Sequence, residues 1–273
     1  MSRILMIASE AAPYAKTGGL SDVVSSLPKA LTALGHEVAV LLPRYAETRP
    51  FPMRRVWDSL PVVLGGTRYP ASVWQAEQDS TFLFLDIPEF YDRPGLYGDR
   101  SGDFPDNALR FAALARAALE VARNLFPPDI FHCHDWQAGL TPLYLRQLAG
   151  DPTFAGIRTV TTIHNLGYQG LFPASVLPAI GIEASRFNPQ NVEFYGQVSF
   201  LKTGLVFSDA LTTVSRRYAE EIQTPEFGFG LDGLLRSRRA SLTGILNGVD
   251  YERWNPETDP LIPALYSASD LSG

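Results

Sequence analysis

Apolar residues along the chain fall in short blocks whose period changes from one block to the next. Ile4-Leu5-Met6-Ile7-Ala8 is a continuous apolar run with strand character, after which Val23, Val24, Leu27, Leu31 and Leu34 recur at helical spacing. This pattern predicts a strand over 4–8 and a helix over 21–34, stopped by Gly35 and kinked at Pro28, which removes a backbone donor. A strand over 37–42 follows. From Val56 to Leu85 the runs shorten and become strand-like, with Gly65-Gly66 as a hairpin turn. Asp106 is placed to cap a long helix reaching Phe126, in which Phe111, Leu114, Ala118, Val121 and Leu125 form one apolar seam while Arg116, Glu120 and Arg123 face water. Pro127-Pro128 ends that helix. Next come a strand over 130–133, a helix from about 137 to 148 and a strand over 158–163. A helix over 198–207, a strand over 210–214, a helix over 216–223 and a last strand over 242–246 complete the pattern. Alternating strands and helices at this spacing predict an α/β fold with a doubly wound, mostly parallel sheet. Residues 1–253 form the predicted domain. Residues 254–273, with Pro256, Pro260 and Pro263 followed by serine, aspartate and glycine, read as a connector.

Composition narrows the classes of function. A hydrophobic fraction of 45% over 273 residues is enough for a substantial core. A net charge of −6, with no basic block or stripe, argues against nucleic acid as a partner and favours a neutral substrate or a small anion gripped locally. Cys133 is the single cysteine, which excludes an internal disulfide framework and suits a reducing compartment. The N-terminus enters a strand directly, with no signal-peptide pattern, and no apolar run reaches the roughly 18–20 residues of a membrane span. The expectation is a cytoplasmic protein with no membrane partner.

The candidate chemistry begins at Lys16-Thr17-Gly18-Gly19-Leu20-Ser21-Asp22, between the first strand and the first helix. A glycine pair there lets the backbone approach a ligand, and a helix start offers N–H groups and a positive dipole end to an anion. Only Lys16, Lys29 and Lys202 are lysine among 23 basic residues, so a flexible point charge has been kept beside this loop. Lys202-Thr203-Gly204 repeats the tripeptide inside an apolar helical run, where it reads as packed helix. The loop is neither a G-x-G-x-x-G fingerprint nor a Walker A motif. Ligands of open α/β sheets lie beyond the carboxyl ends of the strands. Three further polar clusters fall at that position: His134-Asp135-Trp136-Gln137, His164-Asn165, and Asn247-Gly248-Val249-Asp250. Asp135 fits a helix cap and a sugar- or proton-handling group equally well. His164 fits a core histidine or a donor to a sugar hydroxyl, and Asn247-Gly248 is a turn signal that its position turns into a site candidate. His132 and His134 share a strand face, but no third imidazole or thiolate has ligand spacing, so no metal site is expected.

Ala8-Ser9-Glu10 together with Lys16–Asp22 resembles the start of bacterial glycogen synthases and plant starch synthases. The resemblance continues through Tyr91-Asp92-Arg93-Pro94-Gly95-Leu96-Tyr97, His132-Cys133-His134-Asp135-Trp136, Thr162-Ile163-His164-Asn165-Leu166, Tyr168-Gln169-Gly170, Phe200-Leu201-Lys202, Thr213-Val214-Ser215 and Asn247-Gly248-Val249-Asp250. It implies the N-terminal half of a GT-B glycosyltransferase, in which two Rossmann-like domains face each other across a cleft. It also implies transfer of glucose from ADP-glucose to the non-reducing end of an α-1,4-glucan, glycogen or malto-oligosaccharide, with retention and without a metal or other cofactor. Carried onto this chain, Lys16, Gly18 and Gly19 would hold the donor phosphates. Asp22 and Asp135 would line the donor and acceptor sides of the reacting centre, and His164 would contact the transferred glucose. Asn165 and Asn247 would bond around the sugar, and Tyr97 would shape its site. In the family a second domain supplies further phosphate, glucose and nucleotide contacts, and this chain is expected to end where that domain begins. A GT-B enzyme with another donor, or a non-catalytic glucan-binding module, remains the alternative. A dinucleotide dehydrogenase is disfavoured by the missing fingerprint.

Overall fold

In the computed structural model, residues 1–79, 81–251 and 254–272 are described. β1 (Arg3–Ile7) leads through the glycine loop to α1 (Gly19–Ala33) and back to β2 (Glu37–Pro43). β3 (Met53–Leu64), β4 (Thr67–Ala76) and β5 (Phe82–Asp86) follow, then α2 (Pro88–Tyr91), β6 (Gly98–Asp99), β7 (Gly102–Asp103) and α3 (Asn107–Asn124). The second half runs through β8 (Ile130–His134), α4 (Thr141–Gln147), β9 (Arg158–Ile163), β10 (Leu171–Pro173), β11 (Glu193–Phe194) and β12 (Gln197–Ser199). It closes with α5 (Phe200–Phe207), β13 (Ala210–Thr213), α6 (Arg216–Glu221), α7 (Asp232–Ser237) and β14 (Leu242–Gly244).

Nine strands make one sheet in the order β14-β13-β9-β8-β1-β2-β5-β4-β3. Every neighbouring pair from β14 to β5 is parallel, and β4 and β3 add an antiparallel edge. The mostly parallel, α/β expectation therefore holds. Alternation along β1 shows how both faces are covered: Leu5 and Ile7 join the core that contains α3, α4 and α5, while Ile4 and Met6 join a second core under Leu20 and Val24 of α1. Gly65 and Gly66 close the β3–β4 hairpin with φ of 52° and 84°, the paired left-handed geometry of a two-residue turn.

Several boundaries differ from those expected. α1 starts at Gly19 and runs through Pro28, with Gly35 just beyond its end at φ 86°. Asp106 precedes α3 without capping it, because its carboxylate accepts both guanidinium nitrogens of Arg93 at 3.0 and 2.8 Å. α3 is buried on most of its circumference, so Arg116, Glu120 and Arg123 are half-buried rather than fully solvated; Arg116 lies 3.9 Å from the centroid of the Tyr144 ring. The helix expected from Gln137 is a 3-10 turn, Trp136–Ala138, followed by α4. Residues 197–199 form a strand, not the first turn of α5. Described residues from Ile245 onward carry neither helix nor strand. The boundary expected after Arg253 falls on Glu252 and Arg253, which lie outside the described residues.

Candidate functional site

The order of strands reverses at β1: the chain moves outward to β2 on one side, and later to β8, β9, β13 and β14 on the other. Loops leaving the carboxyl ends of β1 and β8 therefore diverge and leave a crevice, the position at which open α/β sheets bind ligands. A cleft of about 870 Å³ occupies it, with Glu10, Gly18, Gly19, Tyr97, Asp135, Trp136, Gln137, His164, Asn165, Gln169 and Asn247 in its walls.

On the β1 side, the carboxylate of Glu10 organises the glycine loop. Its Oε2 accepts the Thr17 N–H at 2.6 Å and the Gly18 N–H at 3.3 Å, and its Oε1 accepts the Thr17 hydroxyl at 2.7 Å. Oε1 also accepts the Tyr97 hydroxyl at 2.6 Å. Tyr97 has one proton and gives it to Glu10, so Ser9 Oγ, 2.7 Å away, donates to Tyr97. The Gly18 N–H, expected to meet an anionic ligand, is thus occupied by an internal carboxylate, as is that of Thr17. The first turn of α1 has no side-chain cap. A Cβ at Gly18 or Gly19 would meet no atom of the chain within 4 Å, and Gly18 has an extended backbone at φ −153°. Neither packing within the chain nor backbone conformation demands glycine there; the space left free belongs to the cleft. Lys16 Nζ donates to both carboxylate oxygens of Asp22 at 2.7 Å, in a pair still 39% and 33% exposed.

On the β8 side, Asp135 turns away from the helical path. It sits at φ 54° and ψ −165°, a region nearly confined to glycine, and makes no capping bond to the turn it precedes. Its Oδ1 instead accepts the His164 backbone N–H at 2.7 Å, which ties the end of β8 to the end of β9. Burial, opposed by those backbone hydrogen bonds, pushes the Asp135 carboxyl up to about 7, and Glu10 across the cleft adds to the rise. Three imidazoles lie behind it. His132 and His134 stack with centroids 4.2 Å apart; His132 Nε2 shares a hydrogen bond with Thr162 Oγ1 at 2.6 Å, and His134 Nδ1 is 2.9 Å from His164 Nε2. Burial lowers His132 and His164 to about 4 and His134 well below its usual value, so all three rings are neutral near neutral pH. Among the described residues no group of three or more His, Cys, Asp or Glu side chains is placed to hold a metal ion.

Of the residues singled out from sequence, Gly18, Gly19, Tyr97, Asp135, His164, Asn165 and Asn247 all line the cleft. Lys16 and Asp22 flank it as an ion pair. Asn165 spends its side-chain oxygen on the Gly167 N–H at 2.9 Å, and Asn247 lies in irregular chain beyond β14. Glu10 was not singled out, although it follows the carboxyl end of β1, where the strand-end rule points. Gln137, part of the polar cluster after β8, and Gln169 were given no role from sequence; both are buried at the cleft wall with an unpartnered Oε1. Gly170, at φ 59°, is fixed by the indole behind it, because a Cβ there would lie 2.4 Å from Trp136 Cε3.

The chain is similar to known proteins over nearly its whole length. The family model of the starch synthase catalytic domain matches residues 3–237. The chain is 50% identical over 272 residues to a glycogen synthase of Koribacter versatilis (strain Ellin345), covering 98% of this chain and 56% of that protein. It is 46% identical over 275 residues to a glycogen synthase of Syntrophotalea carbinolica, covering 99% of this chain and 57% of the relative. The catalytic domain of Starch Synthase IV from Arabidopsis thaliana, solved bound to ADP and acarbose, superposes with a TM-score of 0.86 at 34% identity, covering 99% of this chain and 56% of that one. The chain thus spans little more than half the length of the curated relatives it matches.

Proposed function

Because the chain belongs to the starch synthase catalytic domain family, we propose that it forms one wall of a glycogen-synthesising glucosyltransferase of the GT-B type. The proposed reaction moves glucose from ADP-glucose to the non-reducing end of an α-1,4-glucan with retention at the anomeric carbon. The observation that carries this reading is the cleft at the β1/β8 reversal, where a glycine loop opening a helix faces a buried carboxyl group and a neutral imidazole.

The donor diphosphate lies against Gly18-Gly19 and the uncapped first turn of α1, where the helix dipole and free space favour an anion. Thr17 and Gly18 N–H groups stay with Glu10, which sets the loop's shape. Lys16 swings from Asp22 to the phosphates as negative charge builds on the leaving group, and Asp22 holds it within reach until then. Cationic and backbone donors take the part a divalent ion would play, so the reaction needs no metal. Asp135, poised near neutrality, faces the acceptor side. His164, Asn165 and Asn247 bond to the sugar, and Tyr97 both shapes the pocket and keeps Glu10 in place. Attack from the face the phosphate leaves accounts for retention without a carboxylate nucleophile. The negative charge and single buried thiol fit a cytoplasmic setting, and no helix among the described residues is long and apolar enough to cross a membrane.

The test joins this chain to the C-terminal half of the Koribacter versatilis glycogen synthase and follows labelled glucose from ADP-glucose into glycogen, with UDP-glucose as the donor control and EDTA as the metal control. Transfer that prefers ADP-glucose and survives EDTA is expected. Lys16→Ala should weaken donor binding by roughly 1.5–3 kcal/mol, one charge-assisted contact. A folded chimera that transfers from neither donor overturns the reading, and loss of activity in EDTA overturns its metal-free part.

A further inference from the structure

The His132–His134–His164 cluster holds a polar atom that the site as described leaves unused. His134 is fully buried, its Nδ1 lies 2.9 Å from His164 Nε2, and its own Nε2 is enclosed without a hydrogen-bond partner. A neutral imidazole carries one N–H, so two arrangements are open to the pair. With the proton on Nε2, His134 would bury a donor that meets nothing. With the proton on Nδ1, that N–H donates to His164 Nε2 and only a bare acceptor is left without a partner. Orphaned buried donors are the rarer of the two, so the second arrangement wins. The contact then dictates the state of His164. Its Nε2 must carry the lone pair, and its proton must sit on Nδ1, the one ring nitrogen not turned toward His134, in a side chain that lines the cleft.

We propose that His134 is a positioning residue that fixes the tautomer of His164, so that His164 presents an Nδ1–H donor to the cleft. His132 packs against His134 from the other side, 4.2 Å between centroids, and is itself pinned by Thr162, which bonds onward to Thr212 at 2.6 Å. Burial keeps every ring neutral at physiological pH, so the polarity seen from the cleft is constant: a donor that seeks an oxygen lone pair. A hydroxyl or ring oxygen of a glucosyl unit meets that demand. This sugar assignment rests on the function proposed above; the tautomer does not.

The experiment is long-range ¹H–¹⁵N NMR on the 273-residue chain with ring-labelled histidine at neutral pH. The expected spectrum shows both His134 and His164 protonated at Nδ1. His134→Phe keeps the bulk and removes the donor, so the Nδ1–H preference of His164 should weaken to a mixture with the Nε2–H form; His134→Gln, whose carboxamide N–H can reach the same nitrogen, should restore it. An Nε2–H His164 in the unmodified chain overturns the proposal, as does an unchanged tautomer in folded His134→Phe. If that variant fails to fold, the unmodified chain's spectrum decides alone. Failure of the chain to bind malto-oligosaccharide would count against the glucan reading and leave the tautomer assignment standing.

Discussion

Asp135 carries two penalties in one residue, a backbone in glycine's territory and a carboxyl group withdrawn from water. Its folded-state pKa is raised from 3.8 to about 7, so the native state loses stability as pH climbs through that interval, and the loss is complete above 7. Asp135→Asn keeps an oxygen to accept the His164 N–H and removes the charge. At pH 8 the variant should be more stable by up to about 4 kcal/mol, the value of three pKa units, and at pH 4 the gain should vanish. Urea unfolding at the two pH values reads this out, and the chimeric enzyme carrying the same change should lose most of its transfer. Glu10 shows the opposite balance, since four donors converge on it. Glu10→Ala strands those donors and should cost about 2–4 kcal/mol, with the Thr17 and Gly18 amide resonances shifting in NMR. Asp135 and His164 were legible because they follow strand ends. Glu10 follows one as well, yet a carboxylate turned inward to bind its own loop leaves no mark in composition or periodicity.

Elements were easier to foresee than their edges. All seven strands of the parallel part of the sheet were foreseen from apolar runs, whereas β10, β11 and β12 are two or three residues long and carry no period to detect. Residues 198 and 199 read as helix because their apolar pattern merges with that of α5. The true start is set by Ser199, whose Oγ caps the Lys202 N–H at 3.1 Å, while Lys202 Nζ donates to the Pro189 and Glu193 carbonyls and holds the small sheet against the helix. Lys202-Thr203-Gly204 is packed helix, as its context predicts. The packing is close: a Cβ on Gly204 would lie 3.1 Å from Gly139 Cα, and one on Gly139 would lie 2.1 Å from the Phe200 carbonyl oxygen. Gly139→Ala must therefore push α5 off the Trp136 turn. A destabilisation of about 2–4 kcal/mol is expected by thermal unfolding, with a change in Trp136 fluorescence as its Phe200 contact opens.

Across the whole molecule, the buried titrating groups pull in opposite directions. Three histidines with lowered pKa values contribute stability above 6.5 that is lost as pH falls toward 4, while Asp135 gains stability over the same descent. Three protons taken up on unfolding against one released leave a net of two, so stability should fall by on the order of 2–3 kcal/mol per pH unit near pH 5. Denaturant midpoints measured from pH 4 to 7 would rise, not fall, toward pH 4 if these rings were not buried neutral, because Asp135 alone would then contribute. The same sheet order that builds the cleft also governs how the chain is made. β1's partner β2 is complete in the sequence by Pro43, but its other partner, β8, begins only at Ile130. Throughout that interval a strand of five residues, four of them destined for the interior, waits on the ribosome with one edge unpaired. An edge left open for that long is a site for wrong pairing, so the yield on expression should depend on chaperone supply more steeply than the final stability would suggest.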